Sequence, residues 1–143
     1  SKFKVMIDFA HNPTGYRGIE DYLQSVDASR KIGIISGIGD RRDEDIKECA
    51  RIGARMFDHI IIRQEKYLRG RTEKEIIDLI IEGIIESDAT TTYEVVNLEI
   101  DALRHAISLA KEGTYIVALS DVVANAIEIV QGYLDEEIEN VAG

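Results

Sequence analysis

Two periods of apolar residues take turns along this chain. Short apolar runs rich in β-branched residues occur at Phe3–Ile7, Lys31–Ser36, His59–Ile62, Thr91–Val96 and Tyr115–Leu119, and each predicts a strand. Thr91–Val96 alternates in part, which places it nearer a sheet edge. Between the runs, apolar residues recur every three or four positions. Tyr16–Val26 places Ile19, Tyr22, Leu23 and Val26 on one helical face. Asp43–Phe57 does so with Ile46, Cys49, Ala50, Gly53, Met56 and Phe57, and either Asp40 or Asp43 is suited to cap it. Thr72 and Glu75 form a capping-box pattern opening a helix to Glu86, with Ile76, Ile77, Ile80, Ile81, Ile84 and Ile85 inward. Ile100–Lys111 is the fourth amphipathic segment, punctuated by Gly113. Val122–Leu134 is the fifth, capped by Ser120 or Asp121, and the acidic tail 135–143 should fray.

Five strand–helix alternations imply an α/β fold: a three-layer sandwich with a mostly parallel sheet of five to six strands. Right-handed crossovers then place helices on both faces. All strand C-termini open on one edge, where open α/β sheets bind ligands. Asp8–Pro13, Gly37–Asp43, Arg63–Arg71, Asn97–Glu99 and Ser120–Asp121 would share it.

The 143 residues make one domain with a real core, residues 1–143, without linker, repeat or low-complexity segment. Starting almost on its first core strand, the chain reads as cut from something longer. No apolar run approaches the ~20 residues needed to span a membrane. The single cysteine, Cys49, cannot form an internal disulfide, falls on a helix's apolar face and fits a reducing cytoplasm. A net charge of −10 argues against nucleic-acid or anionic-membrane surfaces as partners. Yet two predicted loops, Gly37–Asp43 and Arg63–Thr72, hold Arg41, Arg42, Arg63, Lys66, Arg69 and Arg71, six of the 17 basic residues. An acidic chain with basic residues gathered at one sheet edge suggests a local anion site.

Candidate chemistry centres on Asp8-Phe9-Ala10-His11-Asn12-Pro13, where the first strand hands over to the first helix. Pro13 fixes its own φ and biases Asn12 away from helix, so the loop should be stiff. Asp8 can bond ribose hydroxyls, hold a metal or orient a histidine; equally, it can bond nearby backbone amides. His11 can contact a phosphate or be an ordinary loop histidine. Asn12 before proline is turn chemistry, with an amide to offer a phosphate or carboxylate. Arg41 and Arg42 can grip an anion, or they can pair on the surface with Asp43, Glu44 and Asp45.

Several machines are excluded. Gly37-Ile38-Gly39 begins a dinucleotide fingerprint, but Arg42 stands at its third glycine. No phosphate loop, metal-ligand cluster or nucleophile elbow is present. A phospho-receiver needs an acid ending the third strand and a lysine ending the fifth, where Arg63 and Asp121 stand.

Asp8-Phe9-Ala10-His11-Asn12-Pro13 closely resembles the motif that opens the C-terminal domain of Mur ligases and folylpolyglutamate synthases. Gly39-Asp40-Arg41-Arg42-Asp43 is similar to the family's Gly-Asp-Arg loop. Its extension through Glu44-Asp45-Ile46, with Arg69-Gly70-Arg71, most resembles the Mur-ligase portion of cyanophycin synthetases. Phe9 stands where tyrosine is more usual. The resemblance implies a Rossmann-like domain of an ATP-dependent amide-bond ligase. In that chemistry ATP phosphorylates a carboxylate and an incoming amine attacks the acyl phosphate. It further implies that Asp8, His11 and Asn12 face the nucleotide. Arg41, Arg42, Asp43, Arg69 and Arg71 would face phosphates or the incoming amino acid, arginine or aspartate in the cyanophycin branch. ATP and Mg would be bound mainly by a central ATPase domain that this sequence lacks, so the isolated domain is expected to be inactive. The alternative is a stand-alone, non-catalytic module binding a nucleotide or acidic metabolite.

Overall fold

In a computed structural model, the chain is described at residues 3–37, 42–63, 72–96, 99–119 and 131–132. Five strands, β1 (Lys4–Asp8), β2 (Arg30–Ile35), β3 (His59–Arg63), β4 (Thr92–Val96) and β5 (Thr114–Leu119), form one sheet. Its order is β1-β5-β2-β3-β4, and every pairing is parallel. Four helices connect them: α1 (Pro13–Gln24), α2 (Asp43–Met56), α3 (Glu73–Glu86) and α4 (Glu99–Leu109). The expected α/β sandwich is therefore the observed one, with boundaries within about three residues of those predicted. The fifth predicted helix lies outside the described residues, apart from helical Gln131 and Gly132.

Handedness explains the layers. The connections β1 to β2, β2 to β3 and β3 to β4 all run the same way across the sheet. A right-handed crossover puts α1, α2 and α3 on one face. The connection from β4 to β5 runs back, so α4 lands on the opposite face. The two cores follow. One joins Tyr16, Ile19 and Leu23 of α1 to Ile46 and Ala50 of α2, Ile76 and Ile80 of α3, and sheet residues Ile35, Ile60, Ile62 and Val117. The other packs Ala102, Leu103, Ala106 and Ile107 of α4 on Ile32, Ile34, Ile61, Ile116 and Ala118. Central strands face a core on both sides, which is why they read as unbroken apolar runs.

Close contacts depend on glycine at two places. A Cβ on Gly83 would lie 2.5 Å from the Lys47 carbonyl oxygen and 2.7 Å from Ala50 Cβ, so α3 approaches α2 only because position 83 has none. A Cβ on Gly33 of β2 would collide with the Phe57 ring.

Three expectations are corrected. Ile85 is 65% exposed. The six isoleucines of α3 form two adjacent stripes, and only Ile76, Ile80 and Ile84 face the core squarely. Ile77 and Ile81 flank it, and Ile85, in the last turn, projects past it. Second, Asp43 does not cap α2, and Asp40 lies outside the described residues. Arg42 occupies the N-cap position without a side-chain cap bond, while Asp43, Glu44 and Asp45 fill the first turn and oppose the helix dipole. Third, Arg63 is not in a loop. Its pairing with Val96 carries β3 one residue beyond the apolar run, and it is buried, 3% exposed.

Candidate functional site at the strand C-termini

The described strand ends meet on one edge. Asp8 is in register with Leu119, Ile35 with Ile62, and Arg63 with Val96. Onto this edge open the Asp8–Pro13 turn, Ser36 and Gly37 after β2, and Arg42 before α2.

The Asp8–Pro13 turn is held by its own side chains. The Ala10 N–H donates to Asp8 Oδ1 at 2.8 Å, and the Gly15 N–H donates to Asn12 Oδ1 at 2.8 Å. Asn12 is extended, with φ −139° and ψ 166°, and Pro13 opens the helix behind it. Both residues thus perform the local duties that their types allow: an Asx turn and an N-cap. His11 Nδ1 lies 3.0 Å from the Phe9 carbonyl oxygen. A carbonyl only accepts, so Nδ1 carries the proton. In the neutral ring, Nε2 is then the acceptor. The Phe9 ring packs edge-on against His11, 6.1 Å between centroids, and is itself 56% exposed. An exposed aromatic, a carboxylate and an imidazole are therefore presented together by a rigid turn.

Beside the turn is a hollow with space for about one water molecule. His11, Tyr16, Ser36, Gly37, Asp45 and Cys49 are among its walls. Tyr16 is fully enclosed. Burial, with Cys49 nearby, pushes its phenol well above the usual tyrosine range, and Arg63 opposes this only in part. Tyr16 is thus a fixed neutral group. Sequence reasoning missed its place in the site, and also the burial of Arg63. The signal for Tyr16 was its spacing of three and seven residues from Ile19 and Leu23.

Arg42 reaches back to its own helix. Its Nε and Nη2 donate to Asp45 Oδ2 and Oδ1, each at 3.1 Å. The hydrogen bond and the charge of Asp45 raise the guanidinium above its ordinary pKa. Asp43 starts α2 beside it. Arg41, Arg69 and Arg71 lie outside the described residues, as do Lys66, Asn97 and Ser120–Asp121. Of the predicted site residues, the structure thus brings Asp8, His11, Asn12, Arg42 and Asp43 to one edge. Among the described residues, no group of three His, Cys, Asp or Glu side chains is arranged to hold a metal ion. No described helix is long and apolar enough to cross a membrane.

The fold defines a doubly wound α/β domain, a class in which ligands bind at the loops that follow parallel strands. The model of the family "Mur ligase, glutamate ligase domain" matches residues 1–122, and the chain belongs to that family. A cyanophycin synthetase from Synechocystis is 36% identical over 130 residues, covering 91% of this chain and 15% of the relative. The chain thus spans about a seventh of the length of that relative. Among solved structures, a UDP-N-acetylmuramoyl-L-alanyl-D-glutamate–2,6-diaminopimelate ligase superposes with a TM-score of 0.75 at 14% identity, covering 93% of this chain and 30% of the other. E. coli FolC in complex with ADP superposes with a TM-score of 0.69 at 19% identity, covering 92% and 29%.

Proposed function

We propose that this chain acts as the C-terminal domain of an ATP-dependent amide-bond ligase of the cyanophycin synthetase kind. It closes over ATP and helps bind the incoming amino acid. The observation that carries this is the 36% identity to a cyanophycin synthetase over 91% of the chain. The rigid Asp8–Pro13 turn at the ligand edge supports it. FolC, a structural neighbour, is a protein that takes ADP.

In this reading a central ATPase domain of the parent ligase is the partner and binds most of the ATP and Mg. The donor carboxylate takes the γ-phosphoryl group of ATP and releases ADP. The amino group of arginine or aspartate then attacks the acyl phosphate carbon. Phosphate leaves, a proton is lost and the amide remains. Asp8 accepts hydrogen bonds from ribose hydroxyls with the oxygen not committed to Ala10. His11 offers Nε2 as acceptor when neutral, or as donor to phosphate when charged. Asn12 holds the turn in shape. Arg41, Arg42, Asp43, Arg69 and Arg71 serve the phosphates or the amino-acid carboxylate, the arginines by paired hydrogen bonds. The reaction belongs to the cytoplasm, where ATP is.

The test compares the purified 143 residues with a longer protein containing them. The chain alone should bind ATP weakly and release no ADP in the presence of amino acid and acceptor. In the longer protein, Asp8→Ala should raise the KM for ATP by about tenfold, the loss of one good polar contact. Robust ATP-dependent amide formation by the chain alone would overturn the reading.

A further inference from the structure

A guanidinium has two faces that can each grip a pair of oxygens. One is the side fork of Nε and Nη2, and the other is the end fork of Nη1 and Nη2. In Arg42 the side fork is taken, since Nε and Nη2 donate to the two oxygens of Asp45. No described residue takes the end fork. Asp45 stands in the first turn of α2, three residues along, so its carboxylate is anchored to a rigid element. It also lines the hollow shared with His11, Ser36 and Gly37. The Arg42 side chain is 81% exposed, and an ion pair so exposed adds little stability. What the pair does control is direction. Without Asp45, a long side chain at a helix entry samples many rotamers, and an anion must order it on binding.

We propose that Asp45 is a positioning residue. It occupies the side fork of Arg42 and so presents the end fork to a pair of anionic oxygens at the ligand edge, from a phosphate or a carboxylate. The inference rests on the reading above that Arg42 contacts an anion. On that footing the Arg42–Asp45 pair is preorganisation of the contact, not competition with it.

The test follows the arginine side-chain nitrogen signals of the 143-residue chain by NMR during titration with inorganic phosphate and, separately, acetate. The Arg42 signals should move with at least one anion. A response to phosphate alone assigns the fork to the nucleotide, and one to acetate alone assigns it to the amino-acid carboxylate; either supports the proposal. Asp45→Asn, which keeps the shape and removes the charge, should weaken anion binding by about three- to tenfold, while Asp45→Glu should stay within about twofold. Arg42→Lys, which keeps the charge and loses both forks, should weaken it by about tenfold. Amide spectra of α2 would show that each variant is folded. If Arg42→Lys weakens binding but Asp45→Asn does not, positioning is overturned and the anion contact stands. If Arg42→Lys binds as well as the parent, or Arg42 responds to neither anion, the contact itself fails and the proposal with it.

Discussion

Asn12 shows how much one side chain can settle. Its oxygen accepts the Gly15 N–H, its backbone is extended and Pro13 follows, so the place where β1 gives way to α1 is fixed within a residue. Removing that acceptor should matter. Asn12→Ala is expected to cost about 1 kcal/mol, the usual value of an N-cap. Urea unfolding would measure it as a lower midpoint at unchanged slope. An unchanged midpoint would mean that Pro13 alone defines the helix start. Asp8, Asn12 and Pro13 were legible as a stiff turn because their types carry their own local geometry. The partners of Arg42 and the burial of Arg63 were less legible. An arginine's stem spans several ångströms, and sequence spacing does not say which acceptor it finds. For Arg42, pairing with the acids of its own helix was one of two open readings, and Asp45 is the partner.

Among the elements, β4 is the outermost described strand on its side, and a polar tie secures it. His59 Nε2 donates to Glu94 Oε2 at 2.7 Å, and His59 Nδ1 meets Thr92 Oγ1 at 2.6 Å. His105 Nε2 of α4 lies 2.9 Å from Glu94 Oε1, off the line of a well-aligned hydrogen bond. One carboxylate thus links β3, β4 and α4. Partial burial pushes the Glu94 carboxyl up, but the two histidines more than offset this, and its pKa is lowered. A group whose pKa is depressed on folding contributes stability above its unfolded value, and that stability is lost as the pH falls through the lower folded value. The chain should therefore hold this contribution from neutral pH down to the ordinary glutamate range and lose it below. Glu94→Gln should remove that part of the acid limb in a series of thermal melts against pH. A limb of unchanged shape would rule Glu94 out as its source. None of this tie was visible in the sequence. His59, Glu94 and His105 are 35 and 11 residues apart in turn, and only the β3–β4 register and the placement of α4 bring them together.

Over the whole molecule, stability should decline from the centre of the sheet to its rims. β5, β2 and β3 pair on both sides, while β1 and β4 each have one described neighbour. Ile32, Ile60, Ile61 and Ile116 are fully buried, whereas Tyr93 and Val95 of β4 are 40% and 41% exposed. Amide hydrogen exchange should therefore be slowest in β5, β2 and β3, at the rate of global unfolding, and faster in β4. Exchange in β4 as slow as in β5 would mean that another segment covers that rim.

What the sequence determined by itself was local: the four helices and five strands of the described residues, the parallel sense of the sheet and the stiff turn at Asp8–Pro13. Each follows from a period, a cap or a proline acting within a few residues, and right-handed crossovers do the rest. The tertiary structure decided which strands are neighbours, with β5 inserted between β1 and β2, and which helices share a face. It decided that Arg63 is buried, that Tyr16 walls the hollow beside the Asp8–Pro13 turn and that Asp45 holds Arg42. Those outcomes depend on where distant elements pack and how long side chains turn, and no run of neighbouring residues encodes either.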